Sequence, residues 1–401
     1  MKRAGVSTSI QIVSIVVAFL IGLGIMYAAA PSIVGAKTTT TTVTSTAIST
    51  TTVTGSGGTT TTSTTSSNST TQSAGTAPIV VATYGGVWET SFTSAAKNFT
   101  AQTGIPVSVI AAGPSAVELP KILAGDSGYD VWLANPSTSA QVAAGGALVS
   151  LSGLSNVQYF SNSSLVQVNG TVYGVSFEQY VMGLIYNSNN VPNPPSTWQQ
   201  YMSMVEANNF TGHVGIMPPN RYAAATLIQM ALVAGVNEEN NSGGWALLKQ
   251  LAPHFNYVST SDGATTSALT AGDLSVMAPG PVSNAIAAYR AGAPVKFKVL
   301  SGAPAFTTSD VMVALKGPHE SEALAFINYC LSGSVNSGIA SINGVLPLSS
   351  QATVSNSTLS FVGMSLSQLR SIEYVPNPSY VGANQANWTS TWTSQIAPLI
   401  G

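Results

Sequence analysis

The chain has 401 residues, of which 6% are charged, and a formal net charge of −2; ordinary soluble proteins carry about 25%. Its 12 Lys and Arg are scattered from Lys2 to Arg370 without a basic run, which excludes an electrostatic footprint for nucleic acid. The single cysteine, Cys330, excludes an intrachain disulfide, a CxxC metal knuckle and a lipid-modified cysteine ahead of the folded part, and its apolar neighbours predict a buried thiol.

Residues 1–9 read as a cytoplasmic N-terminus or leader. Residues 10–30 contain no charge; as a helix they would extend about 30 Å, the thickness of a bilayer's hydrocarbon core. They predict a transmembrane anchor or an uncleaved signal segment. Lys2 and Arg3 precede that run and Lys37 follows it, so the positive-inside bias places the remainder outside the cell. A cleaved signal peptide ending at the small residues Ala28, Ala29 and Ala30, or at Val34, Gly35 and Ala36, would export the chain equally. Residues 38–77 are dominated by Thr and Ser and show no apolar period, which predicts a stalk. Sequons at Asn68, Asn98, Asn162, Asn169, Asn209, Asn240, Asn356 and Asn387 suit a glycosylated exterior.

From residue 78 strands and helices alternate. Residues 79–84 are a short β-branched run, and Trp88, Phe92, Ala95, Ala96 and Phe99 then fall at helical spacing until Gly104. A strand over 106–112, a helix over 115–123, a strand over 129–134 and a helix opened by Pro136 follow. A second series runs strand 213–217, helix 222–234, strand 274–278, helix 281–291. This order predicts an α/β protein of two units, each a mostly parallel sheet flanked by helices.

Signatures of catalysis are incomplete. Gly125, Asp126, Ser127 and Gly128 have the form of a trypsin-like serine loop, yet His213, His254 and His319 all come after it, whereas that family places its histidine first. Ser94 and Lys97 match S-x-x-K without the K-T-G or S-D-N that accompany it, and neither G-x-S-x-G, H-E-x-x-H, a P-loop nor G-x-G-x-x-G occurs. The expectation is a non-enzyme without metal or cofactor.

Several ordered segments belong together: VATYGGVWE at 81–89, TGIPV at 103–107, YDVW at 129–132, GLIYN at 183–187, VPNPPSTW at 191–198, VMAPGP at 276–281 and DVMVAL at 310–315. Across roughly residues 78–396 they resemble the family 1 extracellular solute-binding proteins of ABC transporters, which include polyamine and maltodextrin receptors, and are nearest the spermidine/putrescine-binding type. The resemblance implies a two-lobed periplasmic-binding-protein-like fold of type II with the ligand cleft between the lobes. Lobe 1 would comprise 78–182 plus 300–345 and lobe 2 would comprise 183–299 plus 346–401. It also implies a monomer that binds a small-molecule solute and delivers it to an ABC permease at the extracellular face of the membrane.

In open α/β sheets ligands lie beyond the carboxyl ends of strands. That rule selects Tyr84, Gly85, Gly86, Trp88 and Asn135 in lobe 1, and Asn220, Arg221, Tyr222 and Pro279 in lobe 2. Glu178 and Tyr180 stand at the expected crossing between lobes. In polyamine receptors a strand of this form opens with a carboxylate that pairs with a ligand ammonium, so the resemblance makes Asp310 the cation partner and a polyamine or related organic cation the leading solute. A sugar receptor, an anion receptor using Arg221, and a surface-structural protein remain as alternatives. So few carboxylates also predict a stability that varies weakly between about pH 3 and pH 7.

Overall fold

The computed structural model describes residues 77–401, so the predicted leader, membrane segment and all but the last residue of the stalk lie outside the described residues. Among the described residues no helix is long and apolar enough to cross a membrane.

The β-branched run at the start forms β1 (Ile79–Thr83), which pairs in parallel with β2 (Val107–Ala111) and β3 (Val131–Ala134). Between β1 and β2 the helix Val87–Thr103 buries Trp88, Ser91, Phe92, Ala95, Ala96 and Phe99, the stripe that its apolar spacing predicts. It ends at Gly104, whose φ of 77° lets the backbone N–H return to the Thr100 carbonyl at 2.8 Å. The helices Ser115–Leu123 and Pro136–Ala144 follow β2 and β3, the latter capped by Asn135.

The chain then forms a hairpin of β4 (Leu165–Val168) with β5 (Thr171–Asn187), and β5 is the longest strand. Its first part pairs with β10 (Ala305–Ala314) and its last part with β8 (Leu274–Pro281) and β9 (Val295–Lys298), so this strand carries the chain from one lobe into the other. In the second lobe β6 (His213–Ile216) lies parallel to both β7 (Tyr257–Val258) and β8. Two short strands, β11 (Leu346–Pro347) on β5 and β12 (Glu373–Tyr374) on β10, complete a sheet whose main order is β2-β1-β3-β10-β5-β8-β6-β7.

Each lobe keeps a parallel core, while β5 and β10 run antiparallel to one another, β5 antiparallel to its other neighbours as well, and β10 antiparallel to β3 but parallel to β12. The alternation rule misses β5 because from Val175 to Asn187 every residue is buried, so no polar face marks its period. Residues 222–234 also differ from expectation: Tyr222, Ala223 and Ala224 take φ values of 47°, 53° and 62°, and the helix is Ala225–Val233. Cys330 is fully buried, as its neighbours require.

Where β5 passes between lobes the backbone leaves no room at Gly183. A Cβ there would lie 2.6 Å from the Lys298 carbonyl oxygen and 2.7 Å from the Phe297 ring. Because the first obstacle is backbone, Gly183→Ala should cost about 1–3 kcal/mol as overpacking does. In urea denaturation the midpoint should fall with an unchanged slope.

Candidate functional site: an acidic aromatic cavity at the lobe crossing

Asp310 on β10 and Glu178 on β5 are directly opposed in the strand register, which puts two carboxyl groups on the same face of the crossover ribbon. Glu178 is 0% and Asp310 3% exposed. The indole Nε1–H of Trp88 donates to both, at 2.8 Å to Glu178 and 3.0 Å to Asp310. Asn343 Nδ2 adds hydrogen bonds of 3.1 and 3.0 Å to Glu178, and the Tyr180 hydroxyl donates to Asp310.

Burial, reinforced by repulsion from Asp310, holds the Glu178 carboxyl well above its ordinary range. Burial also pushes Asp310 up to about 6, opposed by the hydrogen bonds it receives from Glu178, Tyr180, Tyr84 and Trp88. Burial and mutual repulsion therefore favour one proton and one negative charge shared by the pair over two charges.

Asp310 forms part of the wall of a cavity of about 180 Å³. Tyr84, Ser115 and Asn135 close it from the first lobe, Asn220, Arg221, Tyr222 and Asp262 from the second, and Tyr180, Thr308 and Ser309 from the crossover strands. Trp88 stacks behind Tyr180 at 5.9 Å between centroids, and Tyr180 meets Tyr222 edge-on at 5.1 Å. Three tyrosines thus surround a single buried carboxylate.

The second-lobe wall is held by Asp262 at the start of helix Asp262–Ala271. Its Oδ1 accepts from Arg221 at 2.5 Å, the Tyr222 hydroxyl at 2.7 Å and Asn284 Nδ2 at 3.3 Å, and Arg221 also donates to the Thr260 carbonyl at 3.2 Å. Left-handed backbone costs a non-glycine residue about 1–2 kcal/mol. These long-range bonds hold the Tyr222–Ala224 turn in that conformation, where helical periodicity alone predicts a continuous helix.

Of the residues selected from the sequence, Tyr84, Asn135, Tyr180, Asn220, Arg221, Tyr222 and Asp310 meet around this cavity. Asn135 does so while spending its Oδ1 on the cap of helix Pro136–Ala144, through bonds to Thr138 N and Ser137 Oγ at 2.9 and 2.7 Å. Trp88 and Glu178 stand one layer behind the wall, positioning Asp310. Gly85 and Gly86 shape the turn before helix Val87–Thr103 with φ of 78° and 60°, and Pro279 is buried inside β8. Sequence reasoning passed over Ala112, Pro114, Ser115, Ser261, Asp262, Thr308 and Ser309. The carboxyl-end rule would have found the three after β2; Ser261 and Asp262 follow a strand of two residues that leaves no periodic signal.

Residues 94–357 match the family model of the bacterial extracellular solute-binding proteins. The chain belongs to that family. No curated protein matches it in sequence. Among solved structures this solute-binding protein is similar to the periplasmic binding protein AfuA of Actinobacillus pleuropneumoniae with fructose-6-phosphate, at a TM-score of 0.65 and 17% identity, over 80% of this chain and 98% of that one. It is similar to AgtB of A. tumefaciens R10 in complex with agropinic acid, at a TM-score of 0.63 and 17% identity, again over 80% and 98%. The Atu4243 GABA receptor aligns with the same TM-score of 0.63, 17% identity and coverage of 80% and 98%. The solute-binding protein shares their two-lobed periplasmic-binding fold.

Proposed function

We propose that this protein is the substrate-binding subunit of an ABC importer that captures a small organic cation of the polyamine class between its lobes and delivers it to a membrane permease. The observation that carries this reading is Asp310: it is 3% exposed, lines the cavity, and receives hydrogen bonds from Tyr180 and Trp88 but, among the described residues, from no basic side chain. A buried carboxylate without a cationic partner is stabilised by one that arrives with the ligand. Tyr84, Tyr180 and Tyr222 supply aromatic surface for the cation. Ligand pockets usually span about 300–1,000 Å³, so a cavity of about 180 Å³ suits an amine head better than an oligosaccharide. The named relatives bind chemically different solutes, so the fold leaves the choice to these residues.

In this reading 78–182 with 300–345 form lobe 1 and 183–299 with 346–401 form lobe 2, the last segment also lying against lobe 1 where Gly382 approaches Ser137 and Gln141. The N-terminal apolar segment and Thr-rich stretch hold the monomeric receptor at the extracellular face.

A second reading follows from Arg221. It lines the same cavity at 8% exposure, and its Nε, unlike the two terminal nitrogens, has no hydrogen-bond partner. A solute bearing a carboxylate would satisfy it. A thermal-shift screen of polyamines, sugars, amino acids and anions separates these readings, because a ligand raises the midpoint with its saturation. Cations alone should shift the parent protein; a shift by anions alone, abolished in Arg221→Ala, would replace the cation reading.

A further inference from the structure

We propose a second ligand site, for a neutral polyhydroxylated molecule such as a short sugar, on the opposite face of the crossover strands from Asp310. Side chains alternate along a strand. The Tyr180 and Thr308 side chains, paired across β5 and β10, therefore share a face with Asp310 and those of the neighbouring pair Gln179 and Ser309 the reverse one, while Thr308 and Ser309 themselves border both cavities. On that side lies a cavity of about 940 Å³, far larger than the first. It lies within the about 300–1,000 Å³ that ligand pockets occupy.

Its lining is chemically distinct. Gln179, Ser176, Ser309, Ser349 and Ser350 bring amide and hydroxyl groups to it, with Tyr159 as a flat aromatic surface. The charged residues on its wall, Arg370 and Glu373, are bonded to each other at 2.9 Å. The wall therefore offers no free charge to an ion and many groups that both donate and accept.

Gln179 is its least satisfied group. It is 5% exposed, and its Nε2 donates to Thr307 Oγ1 and Glu373 Oε2, each at 3.2 Å. Because a carboxylate accepts and does not donate, Glu373 fixes the amide orientation and assigns Oε1 as the free acceptor. That Oε1 has no partner. Leaving a buried acceptor unpaired is unfavourable, and a ligand hydroxyl answers it in kind. The site adjoins the proposed cation site at Thr308 and Ser309 but differs from it in size and charge, and stands whether or not the cation reading holds.

Saturation-transfer NMR with trehalose and maltose on the full chain tests it. Both the parent and Asp310→Asn should show transfer to at least one sugar, with dissociation constants equal within about twofold, since the substitution lies on the other face. Ala352→Trp, on a partly exposed stretch of the cavity wall, should weaken that binding at least about tenfold by filling the space, and Gln179→Leu should do so by removing the acceptor. Absence of transfer from both sugars to the parent would overturn the proposal. So would loss of transfer in Asp310→Asn, or retained transfer in an Ala352→Trp protein that unfolds with the parent's transition; this last measurement decides even where Gln179→Leu fails to fold.

Discussion

Asp310→Asn is expected to weaken binding of a small organic cation by about 30-fold or more while leaving the empty protein at least as stable at pH 7 as the parent. Removing one partner of a buried charge pair costs about 2–5 kcal/mol, and each 1.4 kcal/mol is tenfold in affinity. The fold escapes that cost because the asparagine oxygen can still accept from Trp88 Nε1 and the Tyr180 hydroxyl, the donors that Asp310 now holds. Removal of a charge that burial disfavours also relieves the empty site. Glu178→Gln makes the contrast: it replaces a carboxyl that burial pushes toward its neutral form, one layer behind the cavity, so affinity should change by less than about fivefold. Calorimetry on the parent and both variants, with urea unfolding of each, measures the two effects separately. Equal affinity in Asp310→Asn and parent would remove Asp310 from recognition.

Lowering the pH should weaken cation binding and strengthen the empty fold over the same interval. Asp310 must be ionised to pair with an ammonium, so below its pKa of about 6 affinity should fall about tenfold for each pH unit. For the fold the sign is opposite. The Asp310 carboxyl is raised from an ordinary 3.8 to about 6, so the native state holds its proton more tightly than the unfolded chain. Its stabilising contribution is fully present below pH 3.8 and is lost as pH rises through about 6. A shift of about two units corresponds to roughly 3 kcal/mol. Glu178, raised in the same direction by burial, adds to this with the same sign. The groups facing Asp310 are Glu178, Trp88, Tyr180 and Tyr84, while Arg221 is engaged by Asp262. Urea unfolding of the ligand-free protein from pH 4 to 8 should give decreasing stability, and titrations across that range decreasing dissociation constants. A stability that climbs from pH 4 to 7 would contradict the buried-pair account. The low count of acidic residues predicts a nearly flat profile between about pH 3 and pH 7; two buried carboxyls side by side are expected to give it this slope instead, because burial outweighs number.

Much of each lobe was legible in the sequence because its signals are local. Helix Ser115–Leu123 has the predicted bounds, and Gly104 ends helix Val87–Thr103 where the periodic residues stop. The carboxyl-end rule brought Tyr84, Asn135, Asn220, Arg221 and Tyr222 to one cavity because it depends on strand direction alone. Trp88 obeyed the same rule and still lies behind the wall, since its place on the buried stripe of that helix turns it toward Glu178 and Asp310.

By itself, then, the amino-acid sequence determined the export-type composition, most of the βα units and the family resemblance, and it placed Asp310 among the candidate site residues. Pairing across long separations was decided by the tertiary structure alone. Glu178 and Asp310 are 132 positions apart, and whether they share a proton depends on the register of β5 against β10. Arg221 and Tyr222 reach Asp262 across 41 and 40 positions, and that contact converts a predicted helical turn into left-handed backbone. Periodicity reports which face of an element is apolar, whereas charge state and backbone strain depend on what the opposite element brings to within about 3 Å, and that distance exists only once the sheet has closed.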